Sequence, residues 1–290
     1  MHLQDALGQF QVQLRADGRS EHTRRQYQRH VVALIGWLAK HGRPADLASI
    51  TPTVVAEFFS GDEARLSARG GPKKATSANA QRTSLRCFLR WAHESGLTST
   101  NAARLLKRAR CAPAPPRALH ADEQKRLLDE LANARGPEAE RDRVFVALLL
   151  GTGVRLGSAL ALDVGDIDFA HSEIALRTTK NNRPTTAFVP TGVATQLKAF
   201  VGGRVNGPVF LAGEHRVSMR HMQRRLAGWL AKAKVVGKSA HSLRHAFATG
   251  LLARTGDLRL VQAALNHASI VSTTIYTQVD RARLRAVVGA

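Results

Sequence analysis

Cys111-Ala112-Pro113-Ala114-Pro115-Pro116 divides this chain. Three prolines in four residues cannot continue a helix, because each fixes φ and lacks a backbone donor; such a run favours an extended, semi-rigid segment. It predicts a linker over 112–119 between a first domain over 1–111 and a second over 120–290. At 290 residues the chain is long enough for each part to bury its own core.

On the N-terminal side the pattern is helical throughout. Leu3 to Leu14 is amphipathic, and Ser20-Glu21-His22-Thr23 is a polar start before Tyr27, Val31, Leu34, Ile35 and Leu38 at helical spacing. Thr51-Pro52 opens another helix, with Val54, Val55, Phe58 and Phe59 expected inward. Gly70-Gly71-Pro72 breaks the pattern and is followed by Lys73 and Lys74. From about Ser77 a long helix carries Leu85, Phe88, Leu89 and Trp91 on one side. Arg82, Arg86 and Arg90, four apart, stack along another face. We read this stripe as lacking compensating acids at i±4 and therefore as a phosphate-tracking face; an ordinary solvated face is the plain alternative.

Beyond the linker, Ala121-Asp122-Glu123 begins a helix running through Leu127, Leu128 and Leu131, and a very apolar helix is expected from about Asp142 to Leu150. Glu173 to Arg177 and Thr185 to Val189 alternate in polarity around Lys180-Asn181-Asn182-Arg183-Pro184, which predicts a β-hairpin with a polar turn. Helices are then expected to the end. The fold class is mainly α with a small antiparallel sheet: an all-helical domain followed by an α+β one.

Charge narrows the function. The formal net charge is +21; residues 1–110 hold 18 Lys and Arg against 8 Asp and Glu, and residues 111–290 hold 25 against 14. Both parts are basic to a similar degree, so a polyanion that contacts both is expected. No basic block flanks an apolar segment, which argues against a membrane-surface partner. Cys87 and Cys111 form neither a disulfide framework nor a metal-ligand spacing. The N-terminus does not read as a signal peptide, and the apolar run Val144 to Leu150 is too short to span a bilayer. A cytoplasmic, nucleoid-associated location is expected.

A set of reactive residues follows in order. Gly151-Thr152-Gly153-Val154-Arg155-Leu156-Gly157-Ser158 ends one helix and begins another, setting Arg155 at a helix start beside N–H groups that favour anions. Lys180 lies in the hairpin turn. His241-Ser242-Leu243-Arg244-His245 puts His241 and Arg244 on one helical face. His241 and His245 also have the i, i+4 spacing of zinc-protease helices, but that motif needs a glutamate after the first histidine and here the residue is Ser242. Leu265-Asn266-His267 and Ile275-Tyr276-Thr277 close the set. Two guanidiniums, proton carriers and a late phenol suit attack on a phosphodiester.

In this order the motifs resemble the tyrosine recombinase (phage integrase) family over nearly the full length. Thr152-Gly153-Val154-Arg155-Leu156 is similar to its first-arginine box, Lys180 to its hairpin lysine, His241-Ser242-Leu243-Arg244-His245 to its His-x-x-Arg box, and His267 with Tyr276 to its last box. Residues 20–110 resemble the helical core-binding domain of Xer-type members. Two positions depart: Ser158 stands where the family usually has a glutamate bracing the first arginine, and Asn266 where it has glycine. Without that glutamate Arg155 is expected to lean on another acid or to be held less rigidly.

The resemblance implies a site-specific recombinase that cuts duplex DNA through a 3′-phosphotyrosyl bond on Tyr276. Arg155, Arg244 and His267 would stabilise the phosphorane charge, His241 would take the phenolic proton and Lys180 would protonate the leaving 5′-hydroxyl. No metal or other cofactor is called for. Lys73, Lys74, Arg82, Arg86 and Arg90 become candidate DNA contacts. The expected partners are an inverted-repeat core site and a homotetramer on two sites, with a second recombinase or DNA-bending proteins as further candidates. Asp280 to Val288 reads either as a helix docking on a neighbour or as packing on its own domain. A type IB topoisomerase and a non-catalytic DNA-binding regulator of the same fold are the rival functions.

Overall fold

The computed structural model describes residues 1–67, 70–111, 117–177 and 185–265. Two compact units, Met1–Pro113 and Ala114–Ala290, partition the chain.

The first unit is helical: α1 (Leu3–Ala16), α2 (Glu21–Lys40), α3 (Pro52–Ser60), α4 (Asp62–Arg65) and α5 (Ala75–Glu94). Local chemistry sets the starts. Ser20 Oγ accepts from the Thr23 N–H at 3.3 Å and Thr51 Oγ1 from Val54 N–H at 3.3 Å, each capping a helix whose first donors would otherwise be unpaired. Pro52 at the first helical position supplies a pre-set φ. Val31, Leu34 and Leu38 bury fully, as does Phe58, while Tyr27 and Ile35 pack at the margin. They meet Phe10 of α1 and Phe88 of α5, whose rings lie edge-on at 5.4 Å. Each such buried ring contributes about 1.5–3 kcal/mol. Helix α5 starts at Ala75, two residues ahead of the expected Ser77.

The second unit comprises α6 (Ala121–Asn133), α7 (Pro137–Thr152), α8 (Leu156–Leu160), β1 (Ile167–Asp168), β2 (Glu173–Leu176), β3 (Thr185–Phe188), α9 (Thr191–Val201), β4 (Leu211–Ala212), β5 (His215–Arg216), α10 (Met219–Lys232), α11 (Ala240–Thr255) and α12 (Leu258–Ala264). Helix α7 is the spine, packed by α6, α9 and α11. It is apolar on all sides from Val144 onward, as a helix surrounded by others must be. It begins at Pro137, five residues before the expected Asp142: proline opens the helix, Glu138 and Glu140 are exposed in its first turn, and Arg141 and Asp142 are buried. Arg141 donates to Asp142 Oδ1 at 2.8 and 3.0 Å and to Leu211 O at 3.0 Å. Asp142 Oδ2 accepts from Arg225 Nε at 2.7 Å and from the Trp229 indole at 2.8 Å. A fully partnered ion cluster therefore fastens α7 to α10.

The sheet runs β1-β2-β3, antiparallel, with Ile174 opposite both Ile167 and Ala187. Ile174, Leu176 and Ala187 face the core while Ala175, Thr186 and Phe188 face out, the period of two that the sequence displays. The predicted turn, with Lys180, lies outside the described residues. Strand β1 and the β4–β5 hairpin were not expected; the latter interrupts the helices between α9 and α10. Among the described residues no helix is long and apolar enough to cross a membrane.

Candidate active site

The α7–α8 junction builds one wall. Thr152 Oγ1 donates back to Leu148 O at 2.7 Å, and Gly153 turns the chain at φ +63° while its N–H bonds Leu149 O at 3.0 Å. Only glycine fits: a Cβ there would lie 2.3 Å from Cδ1 of Phe247 on α11. The turn delivers Arg155 to the cap of α8. That helix has five residues, so the anion-binding N-terminus expected from the sequence is a single turn with little dipole.

Helix α11 builds the other wall. Arg244 is buried, its guanidinium donating to Gly153 O and, at 2.6 Å, to Leu265 O. Two main-chain carbonyls, at the neighbouring residues Gly153 and Leu265, thus help to hold it in place. His241, one turn earlier, lines with Arg155 and Arg244 a cavity of about 480 Å³ that Gly157, Gln223 and Lys238 also border. Burial, then the Arg244 and Arg155 charges, pushes the His241 imidazole below its ordinary range. The His245 ring stands edge-on to His241 at 4.4 Å and is pushed down to about 4 by burial, His241 and Arg244. A neutral His241 beside two guanidiniums can accept a proton from a group brought to an anion-holding site.

Arg155 is half-buried, and among the described residues no carboxylate pairs with it. The next acids along the chain are engaged elsewhere: Asp163 is held by Arg216 and Arg177, and Asp166 by Arg177 at 2.6 Å. His267 and Tyr276, like Lys180, lie outside the described residues. Sequence reading missed Lys238 and Gln223. Lys238 Nζ donates to Ala118 O at 2.7 Å and sits 3.4 Å from Glu123, tying the chain that leaves the proline-rich stretch to the start of α11. Lys238 lies before α11 begins and so has no helical phase with His241 that spacing could reveal.

The five candidate DNA contacts of the first unit differ in availability. Lys74 is exposed, but Lys73 Nζ donates to Gln81 Oε1 at 2.8 Å and Glu63 O at 3.3 Å, and burial with the Arg82 charge lowers its pKa. Arg82 lies over the Phe59 ring at 4.9 Å. Arg86 and Arg90 are exposed. The stripe is not free of acids at i±4: Glu94 stands 3.8 Å from Arg90. Both side chains are about two-thirds solvated, so the pair is worth little.

Residues 117–283 match the phage integrase family and residues 7–96 the phage integrase N-terminal SAM-like domain. The chain belongs to the phage integrase family, the tyrosine site-specific recombinases. It is 31% identical to tyrosine recombinase XerC of Mycobacterium sp. (strain JLS), covering 98% of this chain and 96% of that protein. To tyrosine recombinase XerC of Mycobacterium tuberculosis (strain ATCC 25177 / H37Ra) it is 33% identical, over 93% and 92% of the two chains. Its fold is that of lambda integrase (75-356), solved as a dimer bound to a COC' core site (TM-score 0.73, 19% identity, 94% and 97% covered). It is equally that of the Tn1549 transposon integrase, solved with circular intermediate DNA (TM-score 0.75, 16% identity, 99% of each chain). These likenesses favour a recombinase over a type IB topoisomerase or a non-catalytic regulator.

Proposed function

We propose that this recombinase cuts and rejoins duplex DNA at an inverted-repeat core site through a 3′-phosphotyrosyl intermediate on Tyr276. The observation that carries the proposal is the convergence of Arg155, His241 and Arg244 on one cavity. The phenolic oxygen attacks the scissile phosphorus and its proton passes to His241. The P–O5′ bond breaks, and Lys180 protonates the departing 5′-hydroxyl. Arg155 and Arg244 balance the charge that grows on the non-bridging oxygens, with a hydrogen bond from His267. The 5′-hydroxyl of a partner strand then attacks the phosphotyrosine, restoring the phosphodiester and the phenol, so the bond energy is conserved and no ATP is consumed.

The same reading gives residues 1–111 and 120–290 a DNA-contacting role each, with 112–119 as the linker. Two strand exchanges call for four protomers on two sites, acting alone, with a second recombinase or with DNA-bending proteins on the nucleoid. Its test is Tyr276→Phe offered nicked duplexes from a genomic library. The variant should bind DNA yet form no SDS-resistant adduct, whereas the parent does. An adduct on the phenylalanine variant removes Tyr276 as the nucleophile.

A further inference from the structure

Residues 233–239, between α10 and α11, deliver His241 to its cavity, and little of their own packing holds them on that path. Only Ala233 and Val235 among them are buried. Lys234 has a left-handed backbone, φ +55°, which residues with a side chain seldom adopt, and Gly237 follows at φ +72°. Such a path persists where its surroundings impose it.

Residues 118–126 of the same unit supply the constraint. Arg126 Nε of α6 donates to Ala233 O at 3.1 Å. Lys238 Nζ donates to Ala118 O at 2.7 Å and meets Glu123 Oε2 at 3.4 Å. That carboxylate oxygen also accepts the His120 N–H at 2.8 Å, so one atom closes the first turn of α6 and holds the lysine. The Lys238 and Glu123 side chains are 14% and 16% exposed, so water weakens their attraction far less than that of a surface pair. Ser239 then caps α11: its N–H donates to Ser242 Oγ at 3.1 Å, and the Ser242 N–H to its carbonyl at 2.8 Å. His241 lies inside that capped turn.

A general base must lie within hydrogen-bond reach of the proton it takes, so the entry of α11 matters to the chemistry. Of the side chains that border the cavity or touch the His241 ring, Arg155 from α8, Arg244 and His245 from α11, and Lys238 carry or take a charge; Gln223 of α10 does not. With its ammonium engaged by Ala118 and Glu123, Lys238 acts on the site through the chain it holds.

We propose that Lys238 is a positioning residue for His241: it pins the entry of α11 to the chain leaving the linker and so keeps the imidazole where the phenolic proton can reach it. The proposal rests on the reading of His241 as the base in the reaction above. It also makes that base answerable to the path of residues 117–119, at the linker's end.

Single-turnover cleavage of a nicked duplex by the full chain tests this. In Lys238→Met cleavage should slow about tenfold or more at neutral pH, a part of the roughly 10²–10⁴-fold that a well-placed base contributes. The defect should narrow as pH rises towards the ordinary phenol pKa of about 10, where the nucleophile ionises without help. Lys238→Arg, which keeps a donor and a charge, should recover most of the rate. A defect of one size at every pH, or an arginine variant no better than the methionine one, overturns the proposal. Hydrogen exchange is the second measurement: amides of residues 233–242 should exchange about tenfold faster in Lys238→Met while those of α7 keep their rates. Exchange matching the parent's overturns it. If the methionine variant does not fold, Glu123→Gln, which can still accept from His120, takes its place with the same expected pattern. Adduct formation on Tyr276 in the unaltered chain is scored in parallel. Faster local exchange without any parental adduct leaves the positioning standing and refutes the recombination chemistry; an adduct, with variant rates and exchange equal to the parent's, does the reverse.

Discussion

Replacing Gly153 with alanine should loosen the second unit and release Arg244 together. At φ +63° an L-residue costs about 1–2 kcal/mol more than glycine. The new Cβ would lie 2.3 Å from Phe247 Cδ1 and 3.0 Å from Leu265 Cδ2, so Phe247 must leave its place on α11. Overpacking of this kind costs about 1–3 kcal/mol. The sum, about 2–5 kcal/mol, is a large share of the ~5–15 kcal/mol that holds a domain together. Two neighbouring glycines calibrate the argument. Gly151 lacks the positive φ and has Val193 Cγ2 3.1 Å from the same virtual atom; Gly157 meets only Met219 Cε, the end of a flexible side chain, at 3.1 Å. Alanine should therefore hurt most at 153, less at 151 and least at 157. Hydrogen exchange of the α7 and α11 amides, followed by mass spectrometry, reads the opening free energy of this unit without interference from the first. A Gly153→Ala change within about 0.5 kcal/mol of the parent, or no larger than that of Gly151→Ala, would refute the packing argument.

Arg155→Ala should lower single-turnover cleavage by about 10²–10³, roughly 3–4 kcal/mol of lost transition-state stabilisation, while DNA affinity in a gel-shift assay changes little. Asp142→Ala removes the acceptor shared by Arg141, Arg225 and Trp229 and strands a buried cation, so urea unfolding of the second unit should show a loss of about 3–5 kcal/mol. Acid should weaken both units over one window. His30 in the first, pushed down to about 4 by burial and then by Arg29 and Lys73, and His245 in the second, at about 4, stay neutral when folded but protonate near 6.5 when unfolded. The unfolded chain therefore binds more protons between 6.5 and 4; stability falls as pH drops through that range, and this contribution levels off below it. Urea midpoints against pH should flatten in His30→Gln for the first unit alone; an unaltered profile refutes the assignment.

What was legible in the sequence was what is decided locally. Ser20 and Thr51-Pro52 announced their helices because a cap is a contact between near neighbours, and the period of two over Glu173 to Arg177 revealed a strand whose register follows from it. Features decided by distant partners were hidden. Asp142 was read only as the start of an apolar helix; Arg225 and Trp229, more than eighty residues on, are what make it interior. Strands of two residues carry no period to read. Within the site, Arg155, His241 and Arg244 were legible through motif, whereas Gln223 and Lys238 border the cavity only through tertiary structure, Gln223 on α10, which packs on α8, and Lys238 just before α11. Glu94 was legible and overlooked, since i, i+4 spacing needs no structure.

Arg244 is held by oxygens that every residue possesses, at Gly153 and Leu265. No missense change at either position can delete those acceptors; it can only displace them. These two contacts are therefore lost through a change of backbone path and not through a change of side-chain chemistry. Drift at position 265 alters packing by degrees, whereas at 153 all nineteen alternatives carry a Cβ or a ring into Phe247. Loss-of-function alleles in an unbiased screen of this region should accordingly pile up on codon 153 and thin out on codon 265.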